Sequence, residues 1–96
     1  MKYKLRITEN FIKRHEKLTS RNSSLKLRIK NVLQKLEEDP FYPGLKTHQV
    51  YTTQYGLVFS SRVTGDIRIL WNMNEYRIYI FVLSIGGHEG GNKVYK

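Results

Sequence analysis

The chain has no cysteine in its 96 residues. Disulfide staples and thiolate metal sites are therefore excluded, and the composition accords with a cytoplasmic location. Long apolar runs are also missing. The longest uncharged apolar stretch, Ile78 to Ile85, falls far short of the ~20 residues that span a bilayer, so no membrane partner is expected. Residues Met1 to Ile7 alternate charged and apolar side chains and do not form the continuous apolar core of a signal peptide. Acidic residues are scarce, at 8 Asp+Glu against 17 Lys+Arg, for a net charge of +9. Ten of the 17 cations lie in the first 30 residues. Such an excess repels itself and favours a polyanionic partner such as nucleic acid, with an acidic protein next. What is present suffices for a folded globule: 40% of the residues are hydrophobic, and the length suits one small domain, residues 1–96.

The hydrophobic pattern predicts an α+β fold. Tyr3, Leu5 and Ile7 alternate with Lys2, Lys4 and Arg6 as in a half-exposed strand. Thr8 suits a helix N-cap and Glu9 its first turn, opening a helix to Leu18 that buries Phe11, Ile12 and Leu18. After the polar break at 20–24, where Ser23 or Ser24 can cap, Leu25, Ile29, Val32, Leu33 and Leu36 form the clearest helical stripe in the chain. It stops at Glu38-Asp39-Pro40. The two helices would make an antiparallel hairpin. Residues 41–53, with Pro40, Pro43 and Gly44, read as a connector carrying His48. A three-stranded antiparallel meander is expected next, over 56–63, 67–72 and 76–85. The last strand is apolar on both faces and hence central. Helices would cover one face of a small antiparallel sheet and leave the other to line a groove.

Chemistry-bearing side chains cluster in the last third and in the connector. Arg62 and Arg68 flank the turn at Thr64-Gly65, with Asp66 between them. Guanidinium is the group that clamps phosphate in a planar, bidentate way. Two hairpin registers are open, and they place Arg62 and Asp66 on different faces. His88 sits in Gly86-Gly87-His88-Glu89-Gly90-Gly91, directly after the central strand. His48 lies in a segment without apolar periodicity, which argues against a core role. His15, four residues after Phe11, reads as a partly buried helix position. The histidines lack the spacing of a metal site, so no metal and no cofactor is expected. Tyr42, Tyr51, Tyr55 and Tyr95 stand among basic residues and could stack on bases, whereas Tyr3 suits the core and Tyr76 and Tyr79 suit sheet packing.

The element order, the run Arg62-Val63-Thr64-Gly65-Asp66-Ile67-Arg68-Ile69, and the strand end Ile85-Gly86-Gly87-His88 with its aromatic tail resemble the RelE/ParE toxin superfamily, most of all its YafQ-like branch. That resemblance implies a small antiparallel sheet packed on a helical hairpin. It also implies a ribosome-dependent endoribonuclease that cleaves mRNA and a cognate antitoxin that blocks it. His48, Asp66, Arg68 and His88 match the branch's functional positions, and Tyr95 matches its terminal aromatic. Arg62 stands where YafQ has a second histidine. Metal-free cleavage needs a base for the 2′-hydroxyl, charge stabilisation of the phosphorane and an acid for the 5′-oxygen. His88 is the expected acid and His48 or Asp66 the expected base. Arg62 and Arg68 would neutralise the phosphate, and Tyr95 with Lys93 would hold the substrate. The basic helices would meet ribosomal RNA. A ParE-like gyrase inhibitor without chemistry, or a plain RNA-binding module, are the alternatives.

Overall fold

A computed structural model describes residues 3–76 and 78–87. In chain order the elements are β1 (Lys4–Ile7), α1 (Glu9–Thr19), α2 (Ser23–Glu38), a single 3-10 turn (Pro43–Leu45), β2 (His48–Thr52), β3 (Gly56–Arg62), β4 (Ile67–Met73) and β5 (Tyr79–Gly87). The strands form one sheet in the order β1-β5-β4-β3-β2. The fold is α+β as expected, with two amendments. The connector contains an edge strand, β2, antiparallel to β3. And β1 joins the sheet parallel to β5, so the sheet is mixed. The connection from β1 to β5, two helices followed by β2, β3 and β4, is far longer than the crossover that a parallel pair requires. No described helix is long and apolar enough to cross a membrane.

Thr8 caps α1 as its side-chain chemistry suggests, accepting from Phe11 N at 3.2 Å. Its hydroxyl donates to the Val82 carbonyl at 2.8 Å, so the cap also ties the helix to β5. β1 pairs with β5 only as far as Val82. Beyond it α1 takes over the strand's free edge: Asn10 Nδ2 donates to Leu83 O at 3.1 Å and Arg14 Nε to Ile85 O at 2.6 Å. A covered edge cannot recruit a foreign strand. Because α1 lies along this edge, only a narrow stripe through Phe11 faces the core, where Phe11 is buried and Leu18 packs against it. Ile12, expected inside, is 48% exposed. One residue further on is about 100° further round the helix.

In α2 the apolar stripe is in place, with Ile29 and Leu36 fully buried and Leu25, Val32 and Leu33 packed beside them. The cap is Asn22 and neither of the serines. Its Oδ1 accepts from Leu25 N and from Ser24 Oγ, each at 3.1 Å. β5 starts three residues later than the apolar pattern suggests. Asn74 Oδ1 accepts from both Ile78 N and Tyr79 N and holds the preceding segment in a turn, leaving Tyr76 exposed instead of packed on the sheet. Tyr79 is half-buried beneath the Arg6 guanidinium, which lies 4.7 Å from its ring centroid.

Both helices pack on one sheet face, against Val63, Ile69, Trp71, Ile80, Val82 and Ile85. Trp71 is fully buried and stacks on Phe59 at 4.7 Å between centroids. Phe41, from the connector, meets both rings edge-on. The opposite face carries a smaller apolar cluster, Val58 and Leu70 with Val50, Tyr55 and Leu83, to which neither helix contributes. Between Leu70 and Trp71 the β4–β5 register shifts: Leu70 faces Ser84 while Trp71 faces Val82. The extra residue, Leu83, forms a bulge.

Candidate functional site

The β3–β4 hairpin settles in one register. Arg62 and Arg68 are direct cross-strand partners, and Ile67 O accepts from both Val63 N and Thr64 N. The turn is thus the three residues Thr64-Gly65-Asp66. Thr64 builds it: its Oγ1 accepts from Asp66 N and Ile67 N at 3.2 and 2.9 Å, a side-chain mimic of a backbone turn. Directly opposed residues in an antiparallel pair share a face, so both guanidiniums leave the sheet on the same side. Both then fold back onto one atom. Arg62 Nε donates to Thr64 O at 3.3 Å, and Arg68 Nη1 donates to the same oxygen at 2.6 Å. Like charges held directly opposite each other repel. The Thr64 carbonyl offsets part of that repulsion, and an anion placed between the forks would offset more.

His48 opens β2 opposite Ser60, two residues before Arg62 on β3. It therefore stands on the arginine face, one row back, about 7 Å along the strand direction. The imidazole is exposed, and its Nδ1 lies 2.9 Å from Lys46 O. A carbonyl can only accept, so Nδ1 carries the hydrogen in the neutral ring and Nε2 keeps its lone pair. Lys46 turns that carbonyl towards the ring by adopting a left-handed conformation, φ 52.

A partly buried relay fixes this segment. Trp71 Nε1 donates to Ser61 Oγ at 2.7 Å. Thr47 Oγ1 donates to Pro40 O at 2.7 Å and lies 2.7 Å from Ser61 Oγ. Thr47 has one hydroxyl proton, and Pro40 O takes it, so Ser61 is the donor to Thr47. The direction of the whole chain is thereby set: indole, serine, threonine, carbonyl. Nothing in the sequence marks Thr47 or Ser61 as part of a site. Isolated hydroxyl residues give no signal there, since only pairing of β2 with β3 brings 47 and 61 together.

Asp66 is exposed at the tip of the turn, beyond the arginine row, so the arginines lie between it and His48. Gly86 faces Arg68, and Gly87, the last described residue of β5, faces Ile67. Expected site residues His88, Lys93 and Tyr95 lie outside the described residues. Of the aromatics, Tyr55 is tied into the fold, its hydroxyl accepting from Asn10 Nδ2 at 2.8 Å, whereas Tyr51 is 74% exposed. His15 is half-buried as expected, stacked on Phe11 at 5.6 Å. Burial, with Lys26 nearby, lowers its pKa from the ordinary 6.5, against a smaller opposing pull from Glu16.

This architecture is shared with known toxins. The archaeal RelE–RelB complex from Pyrococcus horikoshii OT3 superposes with a TM-score of 0.71 at 19% identity, over 91% of this chain and 96% of that one. The YoeB/ParE toxin from Agrobacterium tumefaciens gives 0.73 at 16% identity, over 90% and 99%. YafQ in the DinJ–YafQ complex from E. coli gives 0.71 at 14%, over 90% and 93%. The fold is that of the RelE/ParE toxins. No protein-family model and no curated protein matches the sequence. In the RelE-like fold seen here, the arginine pair and His48 sit together at one end of the sheet face that the helices leave uncovered.

Proposed function

We propose that the chain is the toxin of a toxin–antitoxin pair and an endoribonuclease that cleaves mRNA on the ribosome. The observation that carries this reading is the arginine pair: two guanidiniums opposed across one hairpin, with an imidazole one row behind them. A phosphodiester between Arg62 and Arg68 would relieve their repulsion, and more so as it gains charge in the pentacoordinate state, which is the differential binding that accelerates a reaction. His48 presents an unprotonated Nε2 in its neutral form, suited to take the 2′-hydroxyl proton. The oxygen so freed attacks the adjacent phosphorus, the bond to the 5′-oxygen breaks, and an acid protonates the leaving oxygen. His88, one peptide bond beyond Gly87, is our candidate for that acid. Asp66, at the turn tip, is the second candidate base. Lys93 and Tyr95 would hold the substrate.

The fold is shared with a YoeB/ParE toxin as well, so architecture does not separate cleavage from gyrase inhibition; the imidazole and guanidinium row favours cleavage. The RelE and YafQ neighbours were solved with RelB and DinJ, which supports an antitoxin as partner, and the basic surface supports RNA in a cytoplasmic setting. mRNA cleavage on translating ribosomes tests the assignment. His48→Ala and His88→Ala are each expected to slow it by about 10²–10⁴-fold, the usual worth of a general acid or base. Unimpaired cleavage by both variants, or gyrase inhibition by a chain that leaves mRNA intact, would overturn it.

A further inference from the structure

Arg62 belongs to two surfaces. Besides facing Arg68, it lines a groove of about 310 Å³ on the helix side of the hairpin, together with Arg28, Asn31, Lys35, Tyr42 and Gly44. A second groove, of about 370 Å³, is lined by Asn22, Ser24, Arg28, Asn31 and Thr64 among others. Arg28 and Asn31 are common to both, so the two join into one furrow between α2 and the β3–β4 turn. Ser24, Arg28, Asn31 and Lys35 follow one another at i, i+4, i+7 and i+11, one stripe of the helix about 16 Å long. No carboxylate is among the described residues lining either part. Lys35 is held over the Tyr42 ring, its Nζ 4.4 Å from the centroid. Gly44 leaves room for that ring, since a Cβ there would come within 2.9 Å of Tyr42 Cε2.

We propose that this furrow is a track for single-stranded RNA, in which Arg28 and Lys35 each hold a backbone phosphate flanking the one seated at Arg62 and Arg68. The inference rests on the RNA-cleaving reading above and adds to it where the strand runs. The walls of the furrow also carry Leu25, Leu27, Val32, Leu45 and Val63; RNA is favoured over an acidic protein because Arg28, Lys35 and Arg62 place cationic donors in succession along it, the spacing a phosphate chain presents. Hydrogen-bond donors spaced along a groove with no opposing carboxylate are what a phosphate chain requires.

The test uses the full chain and a short single-stranded RNA made uncleavable by 2′-O-methyl groups, titrated by fluorescence anisotropy at several salt concentrations. The double variant Arg28→Ala/Lys35→Ala is expected to bind about tenfold more weakly, with the salt slope reduced by about 1.4, since each lost single-strand phosphate contact removes about 0.7. The charge-keeping double variant Arg28→Lys/Lys35→Arg is expected to restore both. Binding that falls with Arg68→Ala but not with the alanine double variant overturns the furrow alone. Binding indifferent to Arg68→Ala and to the double variant overturns the furrow and the nuclease reading together. A double variant that keeps RNA affinity and salt slope but loses an acidic protein partner overturns the choice of RNA.

Discussion

The two faces of the sheet are built on opposite terms. On the helix side, Trp71 is fully buried, stacked on Phe59 and satisfied at its one polar atom by Ser61. On the other side, Arg62 and Arg68 oppose each other across the hairpin over a far smaller apolar cluster. The first arrangement lowers the energy of the fold. The second raises it, because like charges are held together by strand pairing. The helix-covered face thus supplies the rigidity with which the other face keeps a repulsive pair in place, and the Ser61–Thr47 relay is the link through which the core also positions the segment bearing His48.

Four substitutions test this contrast. Trp71→Ala removes the largest buried side chain and the indole donor together. A loss of about 3–5 kcal/mol is expected in denaturant unfolding, enough to leave little folded protein. Arg68→Ala should do the reverse. Stability should hold or rise slightly, while mRNA cleavage falls about 10²–10³-fold, the cost of one charge-stabilising donor. A melting curve and a cleavage assay on the same preparation check both halves. Thr47→Val keeps the shape but leaves the Pro40 carbonyl without its donor and the Ser61 hydroxyl without its acceptor. A cost of about 1–3 kcal/mol is expected, together with slower cleavage because the strand carrying His48 is less firmly held. The smallest effect concerns His15. Its folded pKa is lowered from 6.5, so between the two values the unfolded chain binds more protons. Stability must therefore rise with pH through that window and be lost as pH falls through it. Urea midpoints on either side of the window should show this slope, and His15→Gln should flatten it.

Much of the fold is visible in residue order because it depends on local periodicity. The α2 stripe, the Thr8 cap, the alternation in β3 and β4 and the doubly apolar β5 are each written in a few consecutive residues. β2 is not visible. It is an edge strand with three of its five residues exposed, so its alternation is muted, and the nearby prolines and glycine signal a connector. The parallel placement of β1 is likewise hidden, since alternation announces a strand but never its partner. In the candidate site, the residue types Arg62, Arg68, Asp66 and His48 stand out from the sequence by charge and chemistry, whereas Thr47, Ser61 and Lys46 become meaningful only once β2 lies against β3.

Residue order alone marks both helices and the strands β1, β3, β4 and β5, the strongly cationic surface, and the side chains that could handle a phosphodiester. These follow from spacing and side-chain chemistry, which act within a few residues. Folding adds the hairpin register that opposes Arg62 to Arg68, the strand that carries His48 onto their face, and the stripe of α2 that meets the turn. Those depend on which distant backbone groups find one another, a choice made by the burial of the whole sheet and not by any one segment of the chain.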